Sequence, residues 1–250
     1  MDLQLSDKTC LVTGAGGGIG LATAVALAGE GARVVVAART AAALAPVLRL
    51  IKDAAGREPI AVTGDLGRPG GAAALAGQVL SSVGHVDVLV NNAGGSRPDP
   101  SSEEAWEEGF ALNFIAPRQL AELLLPGMLE RGWGRIVNLT GAIVAKEMNA
   151  AAVAKAALES WSKAAAAAYA PKGVTVNCVA PGRIESVQVR ERLHPTEDSR
   201  RAFIAQNIPA GRFGEADEAA ALIAFLVSGP AAYVNGTTIP VDGGALRYAF

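Results

Sequence analysis

The chain has 250 residues, half of them hydrophobic and 18% charged, with a formal net charge of −2. That much apolar sequence can bury a sizeable core. The near-neutral balance offers no basic field to a nucleic-acid backbone and no Lys/Arg-rich stretch to an anionic membrane surface, so neither partner is expected. Cys10 and Cys178 lie far apart in apolar stretches and read as reduced core residues. His85 and His194 have no Cys or His partner at ligand spacing, so no metal is expected. His85 reads as a loop residue, and His194, before Pro195 in a polar stretch, is open to a substrate-facing role. Met1 to Leu5 lack the zones of a signal peptide, and no run of about 20 uncharged apolar residues is present to span a bilayer. The expectation is a soluble, cytoplasmic protein.

In chain order the pattern predicts a strand over 9–12, a helix over 19–30, strands over 33–37 and 60–63, and a helix over 71–82. A strand over 86–90, a helix over 102–130, a strand over 135–139 and a helix over 150–170 follow. A strand over 174–179, a helix over 215–227 and a strand over 238–241 complete the series. Most of the strands are continuous apolar runs, as expected where both faces are covered. Seven strands joined by helical crossovers predict an α/β fold, doubly wound, with a seven-stranded parallel sheet and helices on both faces. No linker or repeat divides residues 1–250, which read as one domain. Residues 183–212 are polar and charged, but Val187, Val189, Leu193, Phe203, Ile204 and Ile208 are spaced for a mobile lid with short helices.

Thr13-Gly14-Ala15-Gly16-Gly17-Gly18-Ile19-Gly20 follows the first strand and opens the first helix. Glycines there allow a tight turn and close approach to a pyrophosphate, whose charge is met by the helix N-terminal amides. The second strand ends in Ala38-Arg39, where NAD-preferring sites usually place a carboxylate. Arginine suits the additional ribose phosphate of NADP. NADP(H) is therefore the preferred cofactor, with NAD(H) possible.

Thr13–Gly20, Asp65-Leu66, Asn91-Asn92-Ala93-Gly94, Asn113, Lys155, Pro181-Gly182 and Val241-Asp242-Gly243-Gly244, in this order, resemble the short-chain dehydrogenase/reductase family across almost the whole chain. The resemblance implies a Rossmann-type sheet, a small-molecule substrate and a homo-oligomer, tetramer or dimer. It implies cofactor contacts from Gly14, Gly16, Gly17, Gly18, Ile19, Gly20, Arg39, Asp65, Leu66, Asn91, Ala93, Gly94, Lys155, Pro181, Gly182 and Ile184, the last through its backbone. Asp65 also reads as a cap on the turn before Gly67, and Asp242-Gly243-Gly244 as structural.

Members of the family usually carry an Asn-Ser-Tyr-Lys set. Asn113 matches the first position and Lys155 the last; Thr140 or Gly141 occupies the serine position. The tyrosine is expected four residues before Lys155, one turn away on the same helix face, and that residue is Ala151. Tyr169 lies 14 residues beyond Lys155, about 21 Å along a helix, and Tyr233 and Tyr248 are near the C-terminus. The catalytic candidates are accordingly Asn113, Thr140 and Lys155, with Lys146 and Glu147 as substitute proton donors and Asn149 as a residue that orients substrate. The implied activity is reduction of a carbonyl or oxidation of an alcohol at an atypical site. A non-redox lyase, isomerase or cyclase, or a non-catalytic cofactor-binding protein, is the alternative.

Overall fold

The apolar runs pair side by side, and every pair is parallel. β1 (Thr9–Thr13) lies between β2 (Arg33–Ala38) and β4 (Val88–Asn91), with β3 (Ile60–Thr63) outside β2. β5 (Gly134–Leu139), β6 (Val174–Pro181) and β7 (Thr238–Val241) extend the sheet beyond β4. The order is β3-β2-β1-β4-β5-β6-β7. The chain winds outward from β1 to β3, then returns to β4 on the other side of β1. That reversal opens a crevice at the carboxyl ends of β1 and β4, the usual ligand position in open α/β sheets. The computed structural model describes residues 1–56, 58–95, 102–141, 149–187 and 189–247.

Successive side chains of a strand point to opposite faces, and each face of this sheet has its own core. Leu11, Val35, Leu89 and Ile136 meet Leu75 and Val79 of α3 (Gly71–Val83), and Leu120, Leu124 and Met128 of α5 (Ala116–Arg131). Ala165 and Ala166 of α6 (Ala150–Tyr169) join the same face. Cys10, Val12, Val34, Val36, Val88, Val90 and Val137 point the other way. They pack on Leu27 of α1 (Gly18–Gly29), Leu44 and Ile51 of α2 (Ala41–Ala55), and Ile223 and Leu226 of α8 (Ala216–Leu226). Each such Leu or Ile stabilises the fold by about 1.5–3 kcal/mol. Both cysteines are buried free thiols.

The strands agree with the sequence reading to within two residues at each end, but three segments differ. The helix predicted over 102–130 is two helices, α4 (Glu103–Phe110) and α5, joined by a wide π turn at Ala111–Ile115. Asn113 Nδ2 donates to the Gly109 carbonyl at 2.8 Å, taking the acceptor an α-helix would offer to the Asn113 amide. Pro117 has no N–H for the Asn113 carbonyl. Both effects widen the turn. α2 is not among the predicted elements, because Pro46 interrupts its pattern. It forms nevertheless, capped by Thr40, with Leu44, Val47 and Ile51 buried. In the predicted lid, Phe203 and Ile204 of α7 (Glu197–Asn207) pack with Val189, Ile208 and Phe213, whereas Val187 and Leu193 are exposed. This segment thus has its own small core, with two of the expected members outside it.

Candidate active site

The glycine loop is held from both sides. Thr13 Oγ1 accepts from the Asn92 and Ala93 amides at 3.1 and 3.0 Å and donates to the Val90 carbonyl at 3.3 Å. Asn92 Nδ2 donates to the carbonyls of Thr13 and Gly14, both at 3.0 Å. β4 is thereby stitched to the loop that follows β1. Gly14 has φ +64°, and a Cβ on it would stand 2.8 Å from Ala93 Cα. A Cβ on Gly20 would stand 2.5 Å from the Gly14 carbonyl oxygen and closer still to Asn92 Nδ2. Gly17 and Gly18 face open space, where a Cβ would meet nothing within 4 Å. The loop is therefore tight below and open above, at the N-terminus of α1 where amides lack intrahelical acceptors. Gly16 lies against Ala43 at the start of α2.

Arg39, just before the Thr40 cap of α2, is exposed and has no hydrogen bond or ion pair among the described residues. Asp65 Oδ1 accepts from the Gly67 amide at 3.0 Å, so its turn-capping role is realised. Leu66 is buried in the sheet core. At the far end of the crevice, Gly182 donates to the Val241 carbonyl at 2.9 Å, and a Cβ on it would stand 2.7 Å from Asp242 Cα. The Asp242 carboxylate accepts from the Gly244 and Leu246 amides at 2.9 and 2.7 Å, in keeping with a structural part. Ile184 forms a parallel bridge with Gly214. The bonds flanking it, Glu185 N–H to Gly214 O and Gly214 N–H to Arg183 O, use neither its own N–H nor its carbonyl.

A buried amide relay sets α6 against the sheet. Asn91 Nδ2 donates to Asn138 Oδ1 at 2.8 Å and to the Pro117 carbonyl, and Asn138 Nδ2 donates to Ser162 Oγ at 2.8 Å. The Asn91 side chain is thus spent on the scaffold; its neighbour Asn92 holds the glycine loop. Asn149 Oδ1 accepts from the Ala151 and Ala152 amides and caps α6.

Asn113 and Lys155 converge beside Gly94. A Cβ built on Gly94 would be 3.0 Å from Asn113 Oδ1 and 3.8 Å from Lys155 Nζ. Asn113, 2% exposed, holds the Gly95 backbone at both ends, accepting from its amide at 3.1 Å and donating to its carbonyl at 2.9 Å. Lys155 Nζ donates to the Thr140 carbonyl at 2.7 Å. Burial pulls the Lys155 ammonium below the usual lysine range, against the opposing charge of Glu159. Burial pushes the Glu159 carboxyl up, against the opposing charge of Lys155.

The Thr140 side chain is buried against β6. It is 1% exposed, and its hydroxyl lies 3.3 Å from the Val179 carbonyl. Contact with a substrate oxygen would require that hydroxyl to leave its buried position; what Thr140 presents to Lys155 is its carbonyl. Ala151 is buried on α6, one turn before Lys155. Tyr169 packs against the core of the α3–α5 face and Tyr233 is fully exposed. His194 is buried against Phe203 and Phe213, with ring centroids 4.5 and 5.4 Å away, rather than open to a ligand. Lys146, Glu147 and Tyr248 lie outside the described residues.

Comparison with known proteins agrees with this fold. The family model described as enoyl-(acyl carrier protein) reductase matches residues 14–245. The chain belongs to the short-chain dehydrogenase/reductase family. An uncharacterised oxidoreductase of Mycobacterium tuberculosis is 36% identical over 248 residues, 96% of this chain and 93% of its own. A 3-oxoacyl-[acyl-carrier-protein] reductase of Pseudomonas aeruginosa is 36% identical over 249 residues, covering 97% and 98%. L-sorbose reductase from Gluconobacter frateurii, solved with NADPH and L-sorbose, superposes with a TM-score of 0.93 at 32% identity, covering 99% and 100%. As a short-chain dehydrogenase/reductase the chain is an oxidoreductase of the NAD(P)-dependent class. Two of its site residues escaped sequence reading. Asn92 stood in a quoted motif, but only the fold shows which asparagine faces the loop; Glu159 carried no signal beyond its spacing of four from Lys155.

Proposed function

We propose that this oxidoreductase uses NADP(H) in preference to NAD(H) to interconvert a carbonyl and an alcohol, in a site that works without the family's usual tyrosine. The observation that carries the reading is the meeting of Asn113 and Lys155 beside Gly94, at the same crevice as the open face of the glycine loop. The residues fit a dinucleotide. Gly16, Gly17, Gly18 and Ile19 offer amides and space to a diphosphate, Asp65 and Leu66 border the adenine end, and Ala93 and Gly94 line the middle. Pro181, Gly182 and the free backbone of Ile184 lie at the nicotinamide end. The bound nicotinamide supplies or takes the hydride. Lys155 holds the adjoining ribose and has the proton that the substrate oxygen requires, Asn113 keeps the 94–95 backbone in place, and Thr140 aims Lys155 through its carbonyl. Residues 183–212, anchored by their own core, form the lid over the substrate, and assembly into dimers or tetramers fits the family.

The test is transfer of deuterium from the 4-position of labelled NADPH to a panel of ketones and aldehydes, read by mass spectrometry. Label in any alcohol product supports the reading. Its absence from a broad panel, with NADPH bound, favours the non-redox alternative that the alanine at position 151 invites.

Cofactor choice has its own expected result. Arg39→Ala should weaken NADPH binding about tenfold or more and leave NADH within about twofold, since a charge-assisted bond to phosphate is worth about 1.5–3 kcal/mol. Titration of both cofactors by nicotinamide fluorescence measures this, and equal losses would rule out a phosphate contact.

A further inference from the structure

We propose that Glu185 is a positioning residue for the nicotinamide end of the crevice, and that its ion pair with Arg200 is the catch holding the lid there. The inference rests on the reading of Ile184 as a backbone contact of the nicotinamide. Glu185 follows Ile184 directly. Its amide donates to the Gly214 carbonyl at 2.8 Å, and the Gly214 amide donates to the Arg183 carbonyl at 3.0 Å. With the bridge between Ile184 and Gly214, residues 183–185 and 213–214 form one base beyond the end of β6. The Glu185 carboxylate reaches from this base to the Arg200 guanidinium on α7. Neither is a solvated surface group, the two side chains being 18% and 22% exposed. The other acid near Arg200, Glu197 at 3.9 Å, is largely exposed and lies on α7 itself, so it does not tie α7 to the base.

The rings around the pair interlock the same two parts. The Arg183 guanidinium carbon, from the base, lies 4.8 Å from the ring centre of Phe203 on α7. That of Arg200, from α7, lies 5.3 Å from the ring centre of Phe213 in the base. Each part therefore sets a cation on the other part's phenyl ring, an attractive arrangement. The His194 ring stands between the two phenyls, 4.5 Å from Phe203 and 5.4 Å from Phe213. The clasp also carries a cost. Of the five buried side-chain polar atoms without a hydrogen-bond partner among the described residues, three are here: Arg183 Nε, Glu185 Oε2 and His194 Nε2. Each has given up hydration without a replacement, which takes stability from the closed form. Release of Arg200 returns these atoms to water and cuts the side-chain tie between the lid and the Ile184 segment.

Amide hydrogen exchange over Glu197–Asn207 reads the docking of α7 in the ligand-free protein. Glu185→Gln and Arg200→Gln are each expected to speed it about tenfold, and the double variant to add little to either, since both remove one interaction. Unchanged exchange in the single variants, or effects that multiply in the double one, overturn the proposal. Should Glu185→Gln fail to fold, Arg200→Lys against Arg200→Gln decides: exchange must be slower in the lysine variant, and equal exchange overturns the catch. The placement of Ile184 is read by calorimetric titration of Glu185→Gln with two ligands. NADPH is expected to bind about fivefold more weakly, and adenosine 2′,5′-bisphosphate, which has no nicotinamide, as before. An equal loss for both, or no loss for NADPH, overturns the positioning role. Failure of the unaltered protein to bind NADPH removes the oxidoreductase reading instead, and the exchange measurement still decides the catch.

Discussion

Replacing Gly20 by valine is expected to weaken NADPH binding about 10- to 100-fold. The reason is local and steric. A Cβ at position 20 enters the space of the Gly14 carbonyl oxygen, 2.5 Å away, and of Asn92 Nδ2. Asn92 cannot yield without giving up its bonds to the Thr13 and Gly14 carbonyls, which hold the loop to β4. Nor can Gly14 move freely, being at φ +64° with Ala93 Cα close behind it. Overpacking of this kind costs about 1–3 kcal/mol, and about 2.8 kcal/mol is a factor of 100 in affinity. Gly77→Ala is the matched control. It lies in α3, its Cβ meets nothing within 4 Å, and helix propensity favours alanine by about 0.5–1 kcal/mol. Calorimetric titration of both variants with NADPH, after thermal melts establish folding, measures the difference. Unaltered affinity in folded Gly20→Val would mean that the loop does not grip the diphosphate.

Ala151→Tyr should act in two opposite directions. The substitution places a phenol one turn before Lys155 on the same face of α6, where an ammonium neighbour favours its ionised form. General acid–base assistance is worth about 10²–10⁴ in rate, so turnover of simple ketones with NADPH is expected to rise about 100-fold. Stability should fall, because position 151 is 5% exposed and the start of α6 is packed closely on α4. A Cβ on Gly109 would already stand 2.7 Å from Ala150 Cβ. Filling that region costs about 1–3 kcal/mol, visible as a lower Tm. Steady-state kinetics and a thermal melt on one preparation test both halves. Unchanged turnover with NADPH still bound would show that the pocket has diverged beyond the loss of one hydroxyl.

The two variants probe parts of the site that were unequally legible in the sequence. Gly14 to Gly20 were readable because a tight turn constrains residue type directly, and the structure explains those constraints atom by atom. Lys155 was readable through its place in a family pattern. Thr140 was legible in identity and position, but the direction of its hydroxyl depends on β6 packing beside it. The single long helix expected over 102–130 failed for a related reason. The Asn113 side chain competes with the backbone for the Gly109 carbonyl, an outcome that helical periodicity does not encode.

What the sequence by itself determined was the alternation of strands and helices, the parallel sheet and the identity of the glycine loop. Each follows from local periodicity and from backbone freedom, which act over a few residues. What only the tertiary structure decided was the company each side chain keeps: Asn92 with the loop, Asn91 with Asn138, Asn138 with Ser162. These partners stand between 24 and 79 positions apart. Burial, and with it the balance of charge on Lys155 and Glu159, exists only once both faces of the sheet are covered.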